Sequence, residues 1–128
     1  MSSKKKGINA ERELIHMFWK KGWAAVRVAG SGSSKYPSPD ILAGNNLRKL
    51  AIECKSVSSD NKYISSEVVN HLGLFAIQFG SEPWIGIRFD NIGWFFLTLE
   101  DIVKVGKSFR ISRKIAEERG LLFDELTD

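Results

Sequence analysis

The stretch that most restricts the fold of this chain runs from Pro39-Asp40 to Glu53-Cys54-Lys55. Twelve residues separate Asp40 from Glu53, and among them stands Gly44-Asn45-Asn46, a strong reverse-turn signal. The flanks alternate as strands do: Leu50, Ile52 and Cys54 share one side, and Ala51, Glu53 and Lys55 share the other. Asp40 to Ala43 and Lys49 to Lys55 therefore read as the two arms of a hairpin. Pairing around the turn brings Asp40 close to Glu53 or Cys54. Glu53 and Lys55 lie two strand rises apart on one face, roughly 6 to 7 Å. The Cys54 side chain points the other way, into a core.

Two carboxylates at close range repel unless a cation lies between them. Hard oxygen ligands select Mg²⁺ or Mn²⁺, and the backbone carbonyl of Cys54 is placed to complete such a ligand set. An ion held there polarises a phosphate and lowers the pKa of an attacking water. Lys55 could orient or deprotonate the nucleophile, or stabilise a pentavalent phosphate. The plain alternative is a surface ion pair between Glu53 and Lys55, worth at most about 1 kcal/mol. Three neighbouring features favour phosphoryl chemistry: the strand-turn-strand setting, a glutamate on an upstream helix, and a basic, serine-rich loop directly before Asp40.

The upstream helix is expected over residues 9 to 21, between an Asn9 cap and a Gly22 stop. Leu14, Ile15 and Phe18 form its apolar stripe, and Glu11 projects from the same face. A carboxylate at the end of a buried stripe is unusual; it could hold a second metal or a water on the first. The helix dipole would favour Glu11 and Glu13 alike, so only the face argument separates them. Trp23 to Val28 reads as a strand carrying Arg27. The loop that follows, through Ser38, holds Ser31, Ser33 and Lys35. Its hydroxyls and N–H groups suit a phosphate, and Arg27 and Ser31 could bind the scissile phosphate or its neighbour. The Gly-Lys-Ser/Thr ending of a P-loop is missing.

Beyond the hairpin, Ser56 to Tyr63 reads as a polar connection. A helix capped by Ser65 or Ser66 runs to about Phe79 and stops at Gly80, with Val68, Leu72, Phe75, Ala76 and Phe79 as its stripe. Pro83 to Phe89 and Trp94 to Leu97 read as strands joined by Asp90 to Gly93. Trp94-Phe95-Phe96-Leu97 is apolar on both faces, so its strand is central or covered. A helical turn from Thr98 to Val103, a strand near Phe109 to Ile111 and a helix from Ser112 to Arg119 close the chain.

A length of 128 residues suits one domain with one core, and an apolar content of 43% excludes a disordered chain. No uninterrupted apolar run reaches the roughly 18 residues of a membrane span, and no apolar segment follows Lys4-Lys5-Lys6, which argues against a signal peptide. A single cysteine forms no internal disulfide and fits a reducing, cytoplasmic setting. His16 and His71 lie far apart without cysteine partners, so they read as helix-surface or interface residues rather than zinc ligands. The net charge of +4 favours an anionic partner, nucleic acid first. Its carriers bracket the acidic centre: Lys4, Lys5 and Lys6 in a flexible N-terminal tail, then Arg12, Arg27, Lys35, Lys55 and Lys62. Four tryptophans and eight phenylalanines exceed what one small core readily buries. Phe75, Phe79, Trp84, Trp94 and Phe96 are therefore expected at a dimer interface.

Four segments in order carry a resemblance. They are Gly7-Ile8-Asn9-Ala10-Glu11-Arg12-Glu13-Leu14, Val26-Arg27-Val28-Ala29-Gly30-Ser31-Gly32, Pro39-Asp40-Ile41-Leu42-Ala43-Gly44-Asn45 and Ile52-Glu53-Cys54-Lys55. Together they resemble the archaeal-type Holliday junction resolvases, over about residues 6 to 97. The resemblance implies an α/β fold of the PD-(D/E)XK nuclease type, with a central mixed sheet flanked by helices. It implies a homodimer that binds four-way DNA junctions and nicks two strands symmetrically with Mg²⁺. Glu11, Asp40, Glu53 and Lys55 would be catalytic; Arg12, Arg27 and Ser31 would be catalytic helpers or phosphate ligands. The long Lys35-Tyr36-Pro37-Ser38 loop departs from the pattern and leaves cleavage position open. The rival readings are a nuclease of the same fold on another DNA substrate, and a non-catalytic junction-binding protein.

Overall fold

The computed structural model of the chain describes residues 3–30 and 35–128. In chain order the elements are α1 (Ser3–Lys20), β1 (Ala24–Arg27), β2 (Ile41–Gly44), β3 (Lys49–Val57), β4 (Asn61–Ser65), α2 (Ser66–Phe79), β5 (Glu82–Phe89), β6 (Gly93–Leu97), β7 (Val103–Val105), β8 (Ser108–Ser112), α3 (Arg113–Arg119) and α4 (Phe123–Thr127).

Alternation along β3 organises the core. Leu50, Ile52 and Cys54 pack with Ala10, Leu14 and Phe18 of α1, while Ala51 and Val57 pack with Val69 and Leu72 of α2. The sheet between these two layers has the order β1-β2-β3-β5-β6. Its pairs are antiparallel except β3 with β5, which run parallel because β4 and α2 intervene. Parallel strands covered on both faces read as continuous apolar runs, and Trp84, Ile85, Gly86 and Ile87 of β5 are buried in succession. A Cβ at Gly86 would meet the Phe96 ring at 3.1 Å and Ile52 at 3.2 Å, so glycine lets the β6 aromatics pack closely there without displacing them. A second sheet, β4-β8-β7, closes the α2 side through Ile64 and Ile111. Among the described residues, no helix is long and apolar enough to cross a membrane.

The helix α2 has the predicted ends. Ser65 Oγ accepts from the Val68 N–H, and Gly80 adopts φ 76°, the left-handed stop that glycine permits. Elsewhere the structure corrects the sequence-based expectations. The N-terminal helix starts at Ser3, so Lys4, Lys5 and Lys6 lie on its first turns rather than in a flexible tail, and Asn9 is inside it rather than capping it. Lysine is a good helix former, and Lys6 Nζ is anchored to Asp90 Oδ2 at 2.7 Å. Ser56 to Tyr63 is no simple connection: β3 continues to Val57, and Asn61 to Ser65 pair with Ser112 to Ser108. That pairing partner is remote in sequence. Between Thr98 and Val103 the chain makes a single turn rather than a helix: the Asp101 N–H donates to the Thr98 carbonyl, the Thr98 N–H and hydroxyl donate to Asp101 Oδ2, and the chain then enters β7. The short α4 was not anticipated. It buries Leu126 and sets Phe123 edge-on to Phe18, 5.0 Å between ring centroids.

Three of the five residues expected at a dimer interface belong to the core. Trp84, Trp94 and Phe96 are 8%, 6% and 0% exposed, and Trp94 stacks on Phe96 at 5.8 Å. The cover supplied by α1 and α4 absorbs the aromatic surplus. Phe75 is half-buried and Phe79 exposed, stacked on each other at 5.2 Å.

Candidate active site

The first strand pairs of the sheet put the acidic residues in place. Asp40 stands one residue before β2, and the register Ile41–Ile52 sets it opposite Glu53. Its backbone is tied on both sides: its N–H donates to the Ile52 carbonyl at 3.0 Å, and its own carbonyl accepts from the Val28 N–H at 2.8 Å. Its Oδ2 accepts from the Cys54 N–H at 2.8 Å. Asp40 thus meets both residues that the hairpin spacing allowed, Glu53 by side chain and Cys54 by backbone.

Glu53 and Asp40 are within hydrogen-bonding reach of each other, and Lys55 Nζ lies 3.4 Å from Glu53 Oε2. The Glu53 side chain is only 13% exposed. Burial, then the Asp40 charge, pushes its pKa up to about 7, while Lys55 pulls the other way. Glu11 reaches the same place from α1. Its Oε1 accepts from Arg27 Nε at 2.8 Å, and both groups are partly buried. Burial, then the Asp40 charge, raises the Glu11 carboxyl; Arg27 and Lys55 oppose the rise. Glu11, Asp40, Glu53, Lys55 and Arg27 therefore form one electrostatic cluster. Cys54 is buried in the α1-side core. Burial, reinforced by the three carboxylates, holds its thiol well above the usual range, so it has no nucleophilic character.

Asp40 and Glu53 open into a cavity of about 240 Å³. Liquid water occupies roughly 30 Å³ per molecule, so the space admits a hydrated ion. The loop wall is Lys35, Tyr36, Pro37 and Ser38; the opposite wall is α2, with Glu67 and His71 one turn apart. Sequence reasoning gave neither a place at the site; His71, expected as a helix-surface or interface residue, is exposed on α2 and also lines this cavity. The only available signal was their position one residue before Val68 and Leu72 of the buried stripe, which says nothing about what α2 faces. Among the described residues, no three His, Cys, Asp or Glu side chains form a ready-made metal cage. Mg²⁺ does not require one, because it keeps several waters and takes one or two carboxylates. A donor set of hard oxygens from Asp40, Glu53 and the Cys54 carbonyl fits it.

Of the remaining expected contacts among the described residues, only Lys35 lines this cavity. Arg12 is exposed on α1 beside Glu11. Lys35 Nζ lies 5.7 Å from the Tyr36 ring centroid. Lys62 shares a shallow polar groove with Lys6, Ser56, Ser58 and Ser59. Lys4 and Lys5 are exposed on the first turn of α1. Ser31 and Ser33 lie outside the described residues.

Known proteins share both the sequence and the fold. The profile of the archaeal Holliday junction resolvase (Hjc) family matches residues 2–128. The crossover junction endodeoxyribonuclease Hjc of Archaeoglobus fulgidus is 39% identical, covering 95% of each chain. Hjc of Methanocaldococcus jannaschii is 33% identical over 87% of this chain and 79% of its own. Hje of Saccharolobus solfataricus is 32% identical over 88% of this chain and 93% of its own. The 1.6 Å structure of Archaeoglobus fulgidus Hjc superposes with a TM-score of 0.89 at 36% identity, covering 95% of this chain and all of that one. The nuclease fold that the resemblance implied is thereby established, and this chain belongs to the archaeal Holliday junction resolvase family.

Proposed function

We propose that this chain resolves four-way DNA junctions by Mg²⁺-dependent nicking, with Asp40, Glu53 and the Cys54 backbone carbonyl as metal ligands. The family is one of endodeoxyribonucleases that use a divalent ion. The observation that carries the residue assignment is the meeting of Asp40 and Glu53 beside Lys55 in a cavity open to solvent. The bound ion would act as Lewis acid on the phosphate and lower the pKa of the attacking water.

The protein's own groups do the rest. The Cys54 N–H fixes the Asp40 carboxylate at the lining of the cavity. Lys55 stabilises negative charge on the phosphate or orients the water, from a position set by its contact with Glu53. Glu11 holds the Arg27 guanidinium by its Nε, leaving the terminal nitrogens for a DNA phosphate. Arg12, Lys35, Lys62 and the lysines of the first α1 turn supply basic groups for the DNA arms.

The protein works as a homodimer, whose twofold symmetry matches paired cuts on a junction. The apolar surface that supports this lies at one edge of the molecule. Ile77, Leu74 and Phe79 of α2 are exposed, Ile77 by 82%, and Val26 of edge strand β1 is exposed beside them. Ile77→Glu is expected to convert the dimer to monomers in analytical ultracentrifugation and to abolish paired cutting. A dimer of unchanged affinity would remove this face from the interface.

The function is tested by cleavage of a four-way junction and a matched linear duplex, with Mg²⁺ and with chelator. Metal-dependent cutting of the junction in strong preference to the duplex is expected. Equal rates on the two substrates would replace the resolvase reading with that of a nuclease on duplex DNA.

A further inference from the structure

Tyr36 stands at the mouth of the candidate active site with no part in the chemistry described so far. It lines the same cavity as Asp40 and Glu53, yet 71% of its surface is exposed. The segment joining it to Asp40 is stiff: Pro37 and Pro39 fix the backbone, and Pro39 is fully buried. The Tyr36 backbone is thus restrained close to the carboxylates. Lys35 sets its ammonium 5.7 Å from the ring centroid, so positive charge and an aromatic face are presented together. Tyr36 also lines an apolar hollow with Pro37, Leu74, Phe75 and Phe79.

We propose that Tyr36 stacks on an unpaired base at the junction branch point and so favours branched DNA over continuous duplex. The proposal rests on the functional reading above. An aromatic face accepts any base, and a lysine beside it attracts the flanking phosphate, so the pair recognises an exposed base without reading sequence. In a continuous duplex every base is stacked between neighbours and must be extruded at a cost of several kcal/mol. At a branch point the stack is already interrupted, so a base turns onto the ring at far lower cost. Tyr36 would then discriminate substrate shape at the place where the strand is cut.

The test uses a four-way junction carrying 5-iodouracil at branch-point positions, irradiated in complex with the full-length protein in chelator, where no strand is cut. The expected result is a photocrosslink to Tyr36, located by mass spectrometry. Cleavage in Mg²⁺ is measured in parallel. Tyr36→Phe keeps junction preference, whereas Tyr36→Ala lowers the junction-to-duplex ratio roughly five- to a hundredfold, with the dimer intact. A crosslink elsewhere, or an unchanged ratio in Tyr36→Ala, overturns the proposal. So does conversion of Tyr36→Ala to monomers, which would assign the ring to the subunit contact. If the wild type gives the crosslink but cuts neither substrate, the stacking stands and the nuclease reading falls. If it cuts junctions without the crosslink, only the stacking falls.

Discussion

Four glutamates line two parts of this molecule, and the protein treats them in opposite ways. At the β5 and β6 side, Glu82 receives Arg48 through both Nε and Nη2 at 2.9 Å, and the Trp84 indole N–H at 3.2 Å. Those donors, the Arg48 hydrogen bond foremost, hold its carboxyl below the usual range. Glu13 is built alike, with Arg88 Nε at 2.9 Å and the Trp94 N–H at 2.8 Å. Burial pushes it up, but the two donors outweigh burial and the net shift is downward. Glu53 in the middle of β3 and Glu11 on α1 are raised instead, because each is buried near the Asp40 carboxylate. The first pair are clips that fasten strands to helix and loop. The second pair are held under an electrostatic load that a divalent ion would relieve. A site kept ready for a cation lowers the stability of the cation-free protein.

The sharpest way to break this comparison is to neutralise the loaded group. Asp40→Asn and Glu53→Gln are each expected to lower single-turnover junction cleavage at least about a thousandfold, while affinity in a mobility-shift assay stays within a few-fold. Undiminished cutting by either variant would remove the metal assignment.

The next effect is on stability against pH. An unfolded glutamate releases its proton near pH 4.5, whereas folded Glu53 keeps it to about 7. The folded state therefore binds the extra proton between those values, and stability falls as pH rises through that window. Glu11 contributes with the same sign. The loss attributable to Glu53 is up to about 3 kcal/mol, read from urea unfolding of the metal-free protein at pH 5 and pH 8. Glu53→Gln should flatten the profile and be the more stable protein at pH 8. A wild-type profile that rises with pH would contradict the load.

The smallest effect falls on the clips. Arg48→Ala strands Glu82 and removes a donor to the Leu126 carbonyl. Roughly 1 to 3 kcal/mol of stability should be lost, visible as a lower Tm, with cleavage per folded molecule unchanged. A comparable loss of cleavage would show that the two regions are not separable.

The loaded region was the more legible of the two in the sequence. Strand alternation and a turn signal act over a few residues, and together they set Asp40, Glu53 and Lys55 side by side. Helix periodicity likewise singled out Glu11 from Glu13, although the dipole favours both. The clips were not legible, because they depend on partners far along the chain. Nothing near Glu13 announces Arg88 and Trp94, which reach it only after β5 and β6 pair. The same distance hid the burial of Trp84, Trp94 and Phe96, read as an interface because the cover from α1 and α4 has no local signature. Pairing of Asn61 to Ser65 with β8, and the approach of Glu67 and His71 to the cavity, are likewise products of packing.

The most direct test is calorimetric titration of the DNA-free protein with Mg²⁺ at pH 6.5, in two buffers of different ionisation enthalpy. Binding should release protons to the buffer, and both the binding heat and the proton release should vanish in Glu53→Gln. Equal Mg²⁺ binding by wild type and Glu53→Gln, with no proton release, would contradict a cation site at Asp40 and Glu53.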